Sequence, residues 1–330
     1  MTIDASSPAE LLRISGSYWP TCALHAGAML DVFTPLDGGP ASAASLAPSL
    51  ACDARALTML LNALAAMGLV TKDGDAYALS DAARRFLVKT SPDYVGYIIR
   101  HHHRLMPSWA QLPDAVRSGK PVRGRGGSGD GREDFLLGMY NLASAIAPRL
   151  AKCIDLTGRE RFLDLGGGPG TYAVHFCLAN PGLQASVFDL DTSEAFARTI
   201  AARHGVADRI GFIPGDYLQD PVPGGFDVAW LSHILHAEDP AGCRTIIGKA
   251  AKALKPGGLV FIHEFILNDT MDGPEFPALF SLNMLLGTAG GQSYSEAQLR
   301  GMLEEAGFRD VRRLDFKGPN DSGVLRAVAG

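Results

Sequence analysis

Three glycines at alternate positions behind an aspartate, Asp164-x-Gly166-x-Gly168-x-Gly170, constrain this chain more than any other feature. Residues 161–165 form a short apolar run of strand length that ends at the glycines, and a helical segment follows from Thr171 to Ala179. The order is strand, tight glycine turn, helix. Such a turn lets backbone approach a ligand closely, and the helix start offers free N–H groups. The dinucleotide fingerprint G-x-G-x-x-G does not fit, because its third glycine would fall on Thr171.

Downstream, strands and helices alternate. Strands are expected at 185–190, 210–216, 226–233 and 259–267, with a helix over 241–254 stopped by Lys255-Pro256-Gly257-Gly258. Helices over 275–287 and 295–306 precede closing strands at 310–317 and 323–330. This alternation predicts an α/β class chain with a doubly wound, Rossmann-like sheet, closed by an antiparallel edge. In such sheets a ligand sits at the carboxyl ends of the strands. Three acids fall there: Asp164, Asp189 and Asp216, the last followed by Tyr217.

The Asp-x-Gly-x-Gly-x-Gly run closely resembles the first motif of S-adenosylmethionine (SAM) dependent methyltransferases. The resemblance implies SAM as cofactor, S-adenosylhomocysteine as product, and Asp164, Gly166 and Gly168 as cofactor contacts. A carboxylate at Asp164 can meet the methionine ammonium. Asp189, with Leu190 beside it, is placed for the ribose hydroxyls, since a carboxylate accepts two hydrogen bonds. Asp216 and Tyr217 match the adenine contacts. Plant members carry a basic cofactor contact four positions before their catalytic histidine; here that residue is Ser232, so its contact is weaker or differently made.

Before the glycine motif the pattern differs. Residues 8–34 read as a helix with a thin polar face, kinked or split at Pro20, as at a subunit interface. Helices over 41–47 and 54–67 follow, then a hairpin over 71–79 around Asp73-Gly74 and a helix capped by Ser80. This is a winged-helix order, expected over 1–95, with 96–330 forming a helical linker plus the cofactor-binding domain. A winged helix binds DNA or dimerises. The recognition-type helix holds one basic residue, Arg55, where a DNA reader presents several. The same order resembles the N-terminal domain of small-molecule O-methyltransferases of the caffeic acid and acetylserotonin type, which implies a homodimer.

Composition narrows the class further. The net charge of −5 opposes a nucleic-acid partner. Five cysteines, none in a C-x-x-C pair, read as reduced thiols in a cytoplasmic protein. No apolar run reaches the length of a membrane span, and no signal-peptide pattern opens the sequence. His101, His102 and His103 are consecutive and point different ways on a helix, so they cannot hold one metal, and no metal is expected. Residues 120–132 are Gly-, Arg- and Ser-rich without interleaved aromatics and read as a surface loop rather than an RNA-binding run.

The family resemblance, which spans about 10 to 330, also implies the catalyst. His236, in Leu235-His236-Ala237-Glu238-Asp239, follows the fourth strand, and its spacing to Cys243 and Glu264 matches. The implied general base is His236. A phenol near pKa 10 is a weak nucleophile at pH 7, and an imidazole near 6.5 can take its proton during transfer. Glu264 is the implied orienting partner, and a carboxylate inside an apolar strand is costly unless paired. His233 and His263 read as structural. His103, Met106, Trp109, Asn283, Met284 and Thr288 match substrate-wall positions, which implies a hydroxylated aromatic or polyketide-like small-molecule acceptor. Ser293 stands where plant members place a second glutamate on the base. The rival readings are C-methylation or non-methylating chemistry on the same scaffold, and a winged-helix regulator.

Overall fold

A computed structural model describes residues 7–123 and 130–330. Part of the Gly/Arg-rich run, residues 124–129, therefore lies outside the described residues. The chain forms two compact units: residues up to Met106 with Glu133–Asn141, and Pro107–Arg132 with Leu142–Gly330.

The first unit opens with α1 (Ala9–Gly16) and α2 (Tyr18–Met29). The break falls at Ser17 and not at Pro20, which lies in the first turn of α2, where a missing N–H costs no helix bond. The segment expected as a helix from residue 41 begins as a strand, β1 (Ala41–Ser42), before the single turn of α3 (Ala43–Leu46). Then come α4 (Ala54–Ala66), β2 (Val70–Asp73), β3 (Ala76–Leu79) and α5 (Asp81–Leu87). β1 pairs antiparallel with β3, so the wing has three strands in the order β1-β3-β2, one more than the hairpin read from sequence. The Ser80 hydroxyl accepts the Ala83 N–H and caps α5, a contact worth about 1 kcal/mol. Val32, Phe33, Leu57, Leu61, Leu64 and Tyr77 fill the core of this unit.

Further on, α6 (Gly96–Trp109), α7 (Leu112–Ser118), α8 (Asp130–Ser144) and α9 (Ala147–Cys153) connect to the sheet. The first unit extends past residue 95 because α6 and α8 are tied within it. Asp134 is fully buried and accepts from Arg100 Nε at 2.7 Å and from Arg104 at 2.9 Å.

The second unit is built on β4 (Arg161–Leu165), α10 (Thr171–Ala179), β5 (Gln184–Asp189), α11 (Glu194–Arg203), β6 (Ile210–Pro214) and β7 (Phe226–Ser232). It continues through α12 (Pro240–Ala253), β8 (Leu254–Phe265), α13 (Glu275–Gly287), α14 (Glu296–Glu305), β9 (Phe308–Arg313) and β10 (Ser322–Ala329). The sheet order is β6-β5-β4-β7-β8-β10-β9, with β10 antiparallel to both its neighbours. Order reverses beside β4, so the glycine turn opens at the switch point. The anticipated stop at Pro256-Gly257-Gly258 lies inside β8 as a bulge. Phe226 pairs with Leu254 and Val228 with Leu259, so one residue of β7, Asp227, stands opposite four of β8, Lys255–Gly258. Phe162, Trp230 and Phe261 of the sheet and Phe176 of α10 are buried, each phenylalanine contributing roughly 1.5–3 kcal/mol. No described helix is long and apolar enough to cross a membrane.

Candidate active site

The glycine turn explains its own sequence. Gly166, Gly168 and Gly170 all have positive φ, at 68°, 53° and 71°, a region that side chains with a Cβ disfavour. Gly167 needs room instead, because a Cβ there would lie 2.5 Å from the Asp164 carboxyl carbon. The sequence reading passed over Gly167, and alternation alone held no signal for it.

Asp164 is 1% exposed. One carboxyl oxygen accepts the Ala173 N–H at 3.2 Å, and the other, Oδ1, has no partner. Burial, with Asp189 nearby adding to it, pushes its pKa up to about 7 against the opposing Ala173 bond. Asp189 turns back on the loop: Oδ2 accepts the Gly168 N–H at 2.8 Å, and Oδ1 accepts from Leu190 N–H and the Ser193 hydroxyl. Three of its roughly four acceptor positions are thereby used. Leu190 is half exposed at the mouth of the turn. Asp216 accepts the Leu218 N–H at 2.7 Å, and the Tyr217 hydroxyl donates to Glu238 at 3.2 Å. Ser232 bonds His263 Nδ1 at 3.0 Å.

The turn and these acids fit SAM on two observations. An orphaned buried carboxylate oxygen suits an ammonium, and a Cβ on Gly167 would take up the space beside that same carboxyl group.

At the adjacent strand end, β7 runs into a single 3₁₀ turn, Leu235–Ala237, before Asp239 caps α12. Glu264 lies on β8 beside it, 3% exposed. Its Oε1 accepts the Leu235 N–H at 3.0 Å, and its Oε2 meets His236 Nδ1 at 2.8 Å. Burial would push the Glu264 pKa up. The imidazoles of His236 and His233 outweigh that and hold it well below the usual carboxylate range. A carboxylate can only accept, so the proton of a neutral His236 sits on Nδ1 and Nε2 carries the free lone pair.

His233 was read as structural, yet it stands on this site. Its Nδ1 is 3.5 Å from Glu264 Oε2, and its backbone is left-handed with φ 55°. Its ring packs on Phe265 and on His263, with 4.4 Å between centroids in each case. Spacing of three from His236 across a loop was the one available signal. His263 faces the other way, toward Tyr172 and Ser322, and burial drives its pKa well below the ordinary value, so it stays neutral. His233, His236 and Glu264 bring ligand-type atoms within 4.8 Å of one another, a donor set zinc accepts, but His236 and Glu264 are already bonded to each other.

Helix α13 packs against this site. Phe280 sets its ring edge-on to His236, 4.8 Å away. Asn283, Met284 and Thr288 follow on this helix and its end. Met284 is buried, and the Thr288 hydroxyl accepts the Gly291 N–H. Ser293 is buried with an unpartnered hydroxyl. Trp109 lies in the second unit at the end of α6, while His103 and Met106 belong to the first. There the His103 ring meets His25 edge-on at 5.7 Å.

Comparison with known proteins identifies the family. Residues 109–309 match the family model of an O-methyltransferase domain, and residues 12–89 match an O-methyltransferase dimerisation domain. The chain is 33% identical to 3-hydroxy-5-methyl-1-naphthoate 3-O-methyltransferase of Streptomyces sahachiroi, covering 97% of this chain and 95% of that one. It is 34% identical to the tetracenomycin polyketide synthesis 8-O-methyl transferase TcmO of Streptomyces glaucescens, over 97% and 96%. Among solved structures, PigF with S-adenosylhomocysteine superposes with a TM-score of 0.89 at 30% identity, over 98% and 99% of the two chains.

Proposed function

The chain belongs to the SAM-dependent O-methyltransferase family, and on that premise we propose that it methylates a hydroxyl of an aromatic, polyketide-derived small molecule with His236 as general base. The observation that carries the base assignment is the 2.8 Å bond from His236 Nδ1 to buried Glu264. It leaves Nε2 of the neutral ring unprotonated and able to take the proton of a hydroxyl.

SAM supplies an already activated methyl group on a sulfonium. Asp164 would hold its ammonium, Gly166 and Gly168 would let it lie against the backbone, and Asp189 with Leu190 would receive the ribose. Asp216 and Tyr217 would border the adenine. Ser232 bonds His263, and what hydrogen-bonding capacity its hydroxyl keeps would make a weaker cofactor contact than a basic residue does. His236 then removes the acceptor proton, and Glu264 stabilises the imidazolium that forms. Phe280, Met284, Asn283, Thr288 and Trp109, all of the second unit, would border the acceptor. General-base assistance accounts for about 10²–10⁴ of the rate, and alignment of oxygen, methyl carbon and sulfur supplies much of the rest.

The dimerisation-domain match supports a homodimer, with an acceptor that is a small molecule. Leu12 and Trp19 on α1 and α2, each 68% exposed, are apolar surface that a second copy of the chain would cover.

The test is turnover of hydroxylated polyketide aromatics by the wild type and His236→Ala. We expect kcat to fall about 10³-fold with S-adenosylhomocysteine affinity retained. Intact turnover in the variant would remove the base assignment.

A further inference from the structure

Arg123 is an unmatched cation on the acceptor side of the second unit. It leaves α7 behind, and its backbone N–H and that of Val122 both donate to Leu286 O, at 3.0 and 3.1 Å, anchoring the segment on the end of α13. The guanidinium then lies across Gly287, so closely that a Cβ on that glycine would overlap it. Its side-chain partners are two neutral oxygens at long range, Ser108 Oγ at 3.4 Å and Asn283 Oδ1 at 3.5 Å. Among the described residues no carboxylate pairs with it. Burial lowers its pKa, and no nearby acid opposes that shift. Five planar donors with two weak acceptors make a costly arrangement for a half-buried charge, unless an anion completes it.

Its position says what the anion belongs to. Phe280, Asn283 and Gly287 are spaced i, i+3 and i+7, one stripe of α13. Phe280 contacts the ring of His236 at one end of this stripe, and Arg123 covers the other end. The rise from Phe280 to Asn283 and to Gly287 is about 5 and 10 Å. A bicyclic or tricyclic aromatic spans that interval.

We propose that Arg123 binds a carboxylate on the acceptor, so that the preferred substrate is a hydroxylated aromatic acid whose acid group lies roughly 5–10 Å from the methylated hydroxyl. This rests on the O-methyltransferase reading above. The guanidinium fork matches a carboxylate bidentately, and Asn283 orients it. The acid would fix the ring in the cleft and choose which hydroxyl reaches His236 Nε2. The enzyme would then act before any decarboxylation or esterification of the acceptor.

The experiment compares hydroxynaphthoic acids with their methyl esters, using wild type, Arg123→Met and Arg123→Lys. We expect the wild type to favour the acid in kcat/KM by about 10–100-fold. Arg123→Met should bring that ratio near unity, mainly through KM for the acid, and Arg123→Lys should restore part of it. A wild type that does not prefer the acid overturns the proposal, as does an Arg123→Met variant that loses acid and ester equally. If no naphthoate is methylated, calorimetric binding of the same acids to protein loaded with S-adenosylhomocysteine reads the site apart from turnover. Acid binding lost in Arg123→Met supports the proposal even as the assigned reaction fails. No acid binding to the wild type, or equal binding to the variant, overturns it.

Discussion

Glu264 and Asp164 are both buried carboxylates, on strands that flank β7, yet they are finished to different degrees. Glu264 meets the Leu235 amide and the imidazoles of His236 and His233, and its pKa is held down. Asp164 has the Ala173 amide on one oxygen and nothing on the other, and its pKa rises to about 7. The same residue class, at the same depth, is a completed internal device in one place and an incomplete one in the other. On the proposed reading the completed carboxylate positions the general base, and the half-bonded one receives a cationic group of the ligand.

That contrast can be broken directly. Glu264→Gln keeps the size and removes the charge that favours the His236 imidazolium. We expect turnover to fall by about 10²–10³-fold with S-adenosylhomocysteine affinity within a few-fold of wild type. The unpaired amide should also lower the thermal midpoint of the apo protein, since breaking a buried charged pair is destabilising. Asp164→Asn should do the reverse. Its cofactor affinity falls about 10–100-fold, from loss of a hydrogen bond between charged groups, measured by calorimetry. Its apo thermal midpoint at pH 8 stays level or rises, because the variant no longer buries a half-bonded charge. If both substitutions lower affinity and stability together, the distinction between the two acids is wrong.

The parts legible in the sequence were those with a period or a strict local geometry. The second unit's alternation gave its sheet, and the helix over 275–287 matches α13 end to end. Asp164, the alternate glycines and the His236–Glu264 pair were each readable. The pair meets in space as the resemblance implied. The rest was hidden for physical reasons. β1 is two residues long and exists only through its pairing with β3. His233 reaches Glu264 through a left-handed backbone that histidine spacing does not announce. Arg123 lies within the Gly- and Arg-rich run over 120–132 whose composition reads as loop, and its contact with Asn283 joins residues 160 apart in sequence. Ser293 was identified as a departure from the plant pattern, but its unpartnered buried hydroxyl appears only in three dimensions.

The measurement that tests the central claim most directly is calorimetric titration with S-adenosylhomocysteine at pH 6 and pH 8, in buffers of different ionisation enthalpy. In the apo protein an Asp164 with a pKa of about 7 is mostly protonated at pH 6 and mostly ionised at pH 8. Binding an ammonium requires the ionised form, so binding at pH 6 must release a proton. Affinity therefore weakens as pH falls. The account predicts release of about one proton at pH 6, little at pH 8, and about tenfold weaker affinity at pH 6. In Asp164→Asn the proton release and the affinity difference should both vanish. Binding at pH 6 that is as tight as at pH 8, with no dependence on the buffer, would contradict the claim that Asp164 is the carboxylate the cofactor completes.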